Sequence, residues 1–434
     1  MTLLPVDTAP VAGPLAYDAR DLSPEQIRAR FQWATRRGHA GYLWPEIPPV
    51  AWQACVAEIE RVTAALLDGA PARVSLAPPA GTGAAALGVA AFTSGMGPLL
   101  GYWIEAGQLD AAPEPAALLR LHLLHGRRRA ARLDAELRRA LDLFAAHGVR
   151  ATLLKGSHTR HVYYPDPGTR PASDIDLLLA PEQVRPAARA LHEAGYRAAP
   201  RHFHPYRCEW APPGALQTLR SLELSHAENP FSLEVHDSLA RNFFGVRVVR
   251  LEPAVRPWPE LHPAADVLLP AENLAYLALH ASEELHRLQL ARLVELVWVI
   301  RQDGAAGRLD WERLAWLLRR AEAARFAYPS LALAERLAPG TLEPRFRAEL
   351  AASAPARMRR VVARLTPGTT QRLRRPRLDE SWMWANGPVE VVRRAVYLAW
   401  PWHTAASPRA LGKIYAARLY RLLRGTASLR TGAG

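Results

Sequence analysis

Lysine is almost absent from this chain. Of its 55 basic residues only Lys155 and Lys413 are lysines, and every other cation is arginine. Cysteine is as scarce: Cys55 and Cys208 stand alone, in no CxxC or zinc-ribbon spacing. Two cysteines exclude a disulfide framework, and a reducing, cytoplasmic setting is expected. The N-terminus, MTLLPVDTAPVAGPLAYDARD, has no basic stretch followed by an apolar run, so no secretory leader is read. No apolar run is free of breakers. The longest, AAALGVAAFTSGMGPLLGYWI (84–104), has the length to cross a bilayer but is rich in glycine, alanine and serine and contains Pro98. It reads as a loop running into a buried helix. No internal repeat is visible.

What is present is ample apolar content. Among 434 residues, 49% are hydrophobic, enough for sizeable cores in two or three domains. Alanine and arginine dominate. The net charge of +14 implies attraction to polyanions such as nucleotides, nucleic acid or an acidic membrane face. The excess is steepest at the end, where residues 357–430 hold sixteen Arg/Lys against three acids.

Periodicity divides the chain. QIRARFQWATRR and WQACVAEIERVTAALLDG carry apolar residues at helical spacing, and 114–147 is helical throughout, closed by Gly148. VRATLLKG then reads as a strand, HTRHVYYPDPGTRPAS as a helical turn and loop, and DIDLLLA as a second strand. PEQVRPAARALHEAGY is a helix with Pro181 in its first turn and Gly195 past its end. LQTLRSLELS and FSLEVHDSL are strand-like, and from Pro270 onward the pattern is helical. The expectation is an α+β chain in four parts: a mainly helical region (1–144), a mixed core (145–250), a helical domain completing its cleft (251–350) and a basic helical region (351–434).

SDIDLLL is the most informative stretch. Alternate residues of a strand share a face, so Asp174 and Asp176 point together. Paired carboxylates repel unless a cation lies between them, and magnesium suits carboxylate oxygens together with substrate phosphates. Alone, D-x-D is common and fits an exposed strand with two solvated acids. Its neighbours sharpen it. LLKGS (153–157) ends the preceding strand in a Gly-Ser turn, where backbone N–H groups can approach a phosphate. SLEVH (232–236) supplies a third acid, Glu234, with His236 on the same face. Lys155 is a point cation where arginine would be a broad fork, which suits a confined site.

LLKG, YPDPGTRPASDIDLLL and SLEVH together resemble the nucleotidyltransferase superfamily, and more narrowly a bacterial nucleotidyltransferase family found with peptide natural-product and capsule pathways. The resemblance spans roughly residues 95–340. It implies a polymerase-beta-like core, one or two Mg²⁺ held by Asp174, Asp176 and Glu234, and an NTP substrate. It also implies that Gly156 and Ser157 cradle phosphates. Lys155 and Arg170 match basic positions of the narrower family, and His226 and His236 match histidines that line the nucleotide site. Three departures stand out. Sixteen residues separate Ser157 from Asp174, longer than in minimal superfamily members though shared by the narrower family, Asp237 replaces a frequent tryptophan, and Glu295 stands where aspartate is usual.

The implied reaction is transfer of an NMP to a hydroxyl or phosphate on a peptide or saccharide acceptor. The alternatives are transfer of a phosphoryl or glycosyl group to a peptide, or a non-catalytic, antitoxin-like nucleotide-binding module. Other patterns carry less. His202, His204 and Cys208 in RHFHPYRCEW match no common zinc module. His280 and His286 in HASEELH are six apart, which rejects a zinc-protease helix. His280 and Arg292 are candidates to face the cleft, though a packed histidine is the commoner outcome. RALGKIYAARLYRLLRG (409–425) is basic and amphipathic; a solvated capping helix is the plainer reading, with peripheral membrane contact the other. Trp382, Trp384, Trp400 and Trp402 keep RNA or an acidic peptide open as partners, while sequence-specific DNA binding has no motif.

Overall fold

The computed structural model describes residues 23–399 apart from 38–42, 45, 70–73, 200–205, 215–221, 223–225 and 372–377, together with 412, 415 and 416. Helices α1 (Pro24–Arg37) and α2 (Pro49–Leu67) open the chain, followed by a short parallel pair of strands, β1 (Val74–Leu76) and β2 (Leu109–Ala111). Between those strands the apolar run is not a loop with one helix, as the sequence suggested. It forms two mostly buried helices, α3 (Ala84–Thr93) and α4 (Gly97–Glu105), bent by 114°. The bend is a helix stop: Gly95 takes φ +70°, and Met96 and Gly95 N–H groups donate to the carbonyls of Ala91 and Phe92. Among the described residues no single helix is long and apolar enough to cross a membrane.

Helix α5 (Pro113–Ala146) follows and ends at Gly148, φ +67°. Gly97 and Gly101 let α4 approach it closely, since a methyl on Gly101 would lie 2.3 Å from the Leu119 carbonyl oxygen. Next come β3 (Ala151–Leu153), α6 (Gly156–Val162), β4 (Asp174–Leu178), α7 (Val184–Glu193), β5 (Arg197–Ala198), β6 (Arg207–Ala211), β7 (Ser232–His236), β8 (Leu239–Phe243), β9 (Arg247–Leu251), β10 (Val255–Pro257) and β11 (Ala265–Leu268). The main sheet runs β10-β11-β3-β4-β7-β6-β5, with β4 parallel to β7 and antiparallel to β3. β8 and β9 form a separate hairpin. Helices α8 (Pro270–Glu283), α9 (Leu290–Ala305), α10 (Trp311–Arg320) and α11 (Ala324–Leu337) complete the part that frames the site. The chain is α+β, as expected.

Two apolar cores meet along α5. Leu133, Leu137, Leu141 and Phe144 from its second half pack with the sheet residues Leu153, Ile175, Leu177 and Leu233. Ala116 and Leu119 from its first half belong to the larger helical core, which also takes Leu239, Phe243 and Val249 of the β8–β9 hairpin. The acid-bearing strands β4 and β7 thus lie where sheet and helical cores adjoin.

Some expectations change. RCEWA, read only for its Cys208, is β6. Trp384 is 2% exposed and packs against Phe243, Phe244 and Phe326, so it is a core residue and not a surface for RNA or peptide. LQTLRSLELS, except Leu222, lies outside the described residues, as do His202, His204, Trp400, Trp402 and nearly all of 409–425.

Candidate active site at the β4–β7 seam

The seam is built by register. β4 and β7 are parallel with Asp176 directly opposite Glu234, and His236 follows Glu234 on the same face. His236 Nε2 lies 3.0 Å from Asp176 Oδ1 and 3.7 Å from Glu234 Oε2. One ligand atom from each of Asp176, Glu234 and His236 falls within 4.8 Å of the others, and all three residues are buried. Asp174 stands on the same face at the start of β4, half-buried.

Charge sets the character of the group. Lys155 Nζ donates to Asp176 Oδ1 at 2.6 Å, and the lysine is 3% exposed. Burial would raise the Asp176 carboxyl, but Lys155 and the His236 hydrogen bond hold it well below the usual range. Burial and the charge of Asp176 push Asp174 up. Burial, then the charges of Asp176 and Asp174, push Glu234 up to about 8, despite its ion pair with Arg207. Burial takes His236 down to about 4. Asp174 and Glu234 are therefore short of positive charge, which a divalent ion bound by carboxylate oxygens would relieve.

The LLKGS stretch does something other than its sequence suggested. Leu154–Ser157 is a tight turn closed by the Ser157 N–H donating to the Leu154 carbonyl at 3.0 Å. Lys155, at φ +47° and ψ −129°, takes the turn position that ordinarily requires glycine. A lysine held there is backbone strain beside the β4–β7 seam. Gly156 is needed for space: a methyl on it would lie 2.1 Å from Arg170 Nη1. Ser157 is fully buried, and its hydroxyl accepts from the Asp176 N–H at 3.0 Å, fixing β4 beside the turn.

Arg170 is also engaged. Its Nε and Nη2 donate to the two carboxylate oxygens of Glu295 on α9, at 2.8 and 3.1 Å. Thr159 donates to the same carboxylate, and Arg292 Nη1 reaches it at 3.3 Å. Burial alone would raise Glu295; the two arginines outweigh it and bring it down to about 2. Glu295 therefore locks the helical part onto the turn. His226 is fully buried just before β7 and packs against His125 of α5, ring centroids 4.1 Å apart and planes inclined by 36°.

His280 on α8 is buried and held well below its usual range by burial and by the fields of Lys155, Arg241 and Arg292. Arg292 feels both Asp174 and Asp176. Both positions singled out in the helical part thus lie within electrostatic reach of the seam.

Two arginines were missed. Arg241 on β8 is buried, paired with Glu283 at 3.1 Å and bonded to the Tyr276 hydroxyl, in the field of Asp176. Arg129 on α5 is 1% exposed and donates to the carbonyls of Ala172, Ser173, Asn229 and Pro230, the residues that lead into β4 and β7. Its signal was available: Arg129 falls on the apolar stripe with Gly126, Leu133 and Leu137, where a charge requires internal partners.

Neither a curated protein nor a solved structure matches the chain. The sequence pattern of the uncharacterised nucleotidyltransferase family matches residues 85–339, more than half of its length, and takes in β3, β4, β7, α8 and α9 with every site residue described above. The protein belongs to the uncharacterised nucleotidyltransferase family.

Proposed function

We propose that the protein transfers an NMP from a magnesium-bound NTP to a hydroxyl or phosphate acceptor. The observation that carries this reading is the set of carboxyls on one face of β4 and β7, with Asp176 opposite Glu234 and Asp174 alongside. The donor set fits a hard divalent ion: oxygens from three acids, two of them, Asp174 and Glu234, short of positive charge, at the junction of two cores. Asp174, Asp176 and Glu234 would hold one or two Mg²⁺, which when bound neutralises the triphosphate and holds the attacking and leaving oxygens in line.

The chain's own residues divide by what they touch. Gly156, Ser157 and Arg170 build the frame, since their contacts run to Arg170, Asp176 and Glu295. In this proposal they position the nucleotide through the turn and β4, and buried His226 does so through the segment before β7. Lys155 and His236 touch Asp176 itself. Arg292, with 29% of its side chain exposed, is a cation open to a triphosphate. Glu234 would also help to take the acceptor's proton at a carboxylate oxygen. The polymerase-beta-like description, the peptide or saccharide acceptor and a natural-product setting rest on the resemblance of LLKG, DIDLLL and SLEVH.

The test is mass spectrometry of the purified protein incubated with Mg²⁺, mixed NTPs and lysate of its host. A metal-dependent adduct of one NMP, absent with a folded Asp176→Asn variant, supports the proposal and names base and acceptor together. A different adduct mass favours phosphoryl or glycosyl transfer. Tight NTP binding that Asp174→Ala abolishes, with no adduct, marks a nucleotide sensor.

A further inference from the structure

We infer that Lys155 is a resident cation of the metal position: its ammonium and a divalent ion compete for Asp176 Oδ1, and loading the site lifts the lysine away. The inference rests on the metal site proposed above. Two donors already converge on that oxygen, Lys155 Nζ at 2.6 Å and His236 Nε2 at 3.0 Å. An ion reaching Asp176 through Oδ1 must displace one of them. His236 can stay, because its Nε2 belongs to the same ligand group as Asp176 and Glu234 and turns from donor to ligand when the neutral ring carries its one proton on Nδ1 instead. Lys155 cannot: an ammonium has three donors, no acceptor, and repels the incoming charge.

The local build suits departure. The Lys155 backbone is clamped by the closed turn, so its Cα is fixed, while four rotatable side-chain bonds let the ammonium swing. An arginine fork would bind the carboxylate at two points and leave less readily, which accounts for lysine here in a chain whose other cations, Lys413 apart, are arginines. The surroundings keep the site from collapsing while it waits, since an unpaired Asp176 beside Asp174 and Glu234 would be costly. Once displaced, the ammonium needs an anion, and the incoming phosphates supply one. Metal alone should therefore bind weakly, and metal with nucleotide cooperatively.

The test measures Mn²⁺ binding by electron paramagnetic resonance, with and without a non-hydrolysable NTP analogue, so that turnover plays no part. Lys155→Met keeps the stem without the charge. Lys155→Gly removes both and suits the backbone that the turn demands, which guards against a folding failure. Nucleotide-free Mn²⁺ affinity should rise about tenfold or more in both variants, and the cooperativity with the analogue should shrink. If the wild type binds Mn²⁺ in an Asp176-dependent way and neither variant binds it more tightly, the inference is overturned while the metal site stands. If neither the wild type nor either variant binds Mn²⁺, the metal site itself fails, and the inference with it.

Discussion

Gly156 and Arg170 occupy adjoining space with none to spare: a methyl on Gly156 would lie 2.1 Å from Arg170 Nη1. The guanidinium cannot retreat without leaving Glu295, which it holds through two bonds in a buried setting. Gly156→Ala should therefore break the Arg170–Glu295 pair and cost about 3 kcal/mol or more. Urea unfolding of the single variant measures this. Gly156→Ala combined with Arg170→Ala should cost clearly less than the sum of the two singles, since both act on one contact. Additive costs would mean that the glycine serves something other than the arginine.

Glu295 should mark stability with a definite pH window. Burial opposes its ionisation, but Arg170 and Arg292 bring the folded value down to about 2, from an ordinary 4.5. A depressed carboxyl contributes stability above its unfolded pKa and loses it as pH falls. The window therefore lies between about pH 4.5 and pH 2, and the contribution is on the order of 3 kcal/mol. Glu295→Gln should lower stability at pH 7, and its curve should converge on that of the wild type as pH falls through that window. Two parallel curves of unfolding free energy against pH would refute the assignment.

Arg129 should be as important to the site as any acid, although it touches no substrate. It gathers four backbone carbonyls from the two segments that lead into β4 and β7. Burial, then Arg132, lowers it to about 10, which leaves it charged at neutral pH. Arg129→Met leaves those carbonyls without their donor and should cost about 3–5 kcal/mol in urea unfolding. Arg129→Lys should recover only part, because a single ammonium cannot span both segments as a five-donor fork does. If Mn²⁺ affinity also falls in Arg129→Lys, the arginine positions the acids as well as stabilising them.

The motif strands were legible because strand alternation is a property of sequence alone: Asp174 with Asp176, and Glu234 with His236, had to share faces. The pairing of Asp176 with Glu234 is tertiary and became visible only in the register of β4 and β7. Short strands such as β10 and β11 carry too few residues for a period. The break between α8 and α9 has no proline or glycine to announce it. It arises because the Ala291 N–H donates to the Ser94 carbonyl at the end of α3, docking the start of α9 there. The turn at Lys155 misled in an instructive way. The sequence points to the Gly-Ser pair as the turn, but Lys155 before it takes the left-handed conformation and the glycine makes room for Arg170.

Lys155 gives the last prediction, and it turns on shape rather than charge. Its ammonium sits in a space with 4% of the side chain exposed, 2.6 Å from Asp176 and in the field of Arg241. Arginine keeps the charge but is broader, and it would have to push Asp176 off the β4 face or displace His236. A shift of about 1 Å in a reacting group can cost about 100-fold in rate, so Lys155→Arg should be nearly as inactive as Lys155→Ala. Nucleotide turnover against the acceptor found by mass spectrometry, with binding of a fluorescent NTP analogue alongside, provides the comparison. Wild-type behaviour in Lys155→Arg would mean that the site requires only a positive charge. The near-absence of lysine elsewhere in the chain would then owe nothing to the chemistry at Asp176.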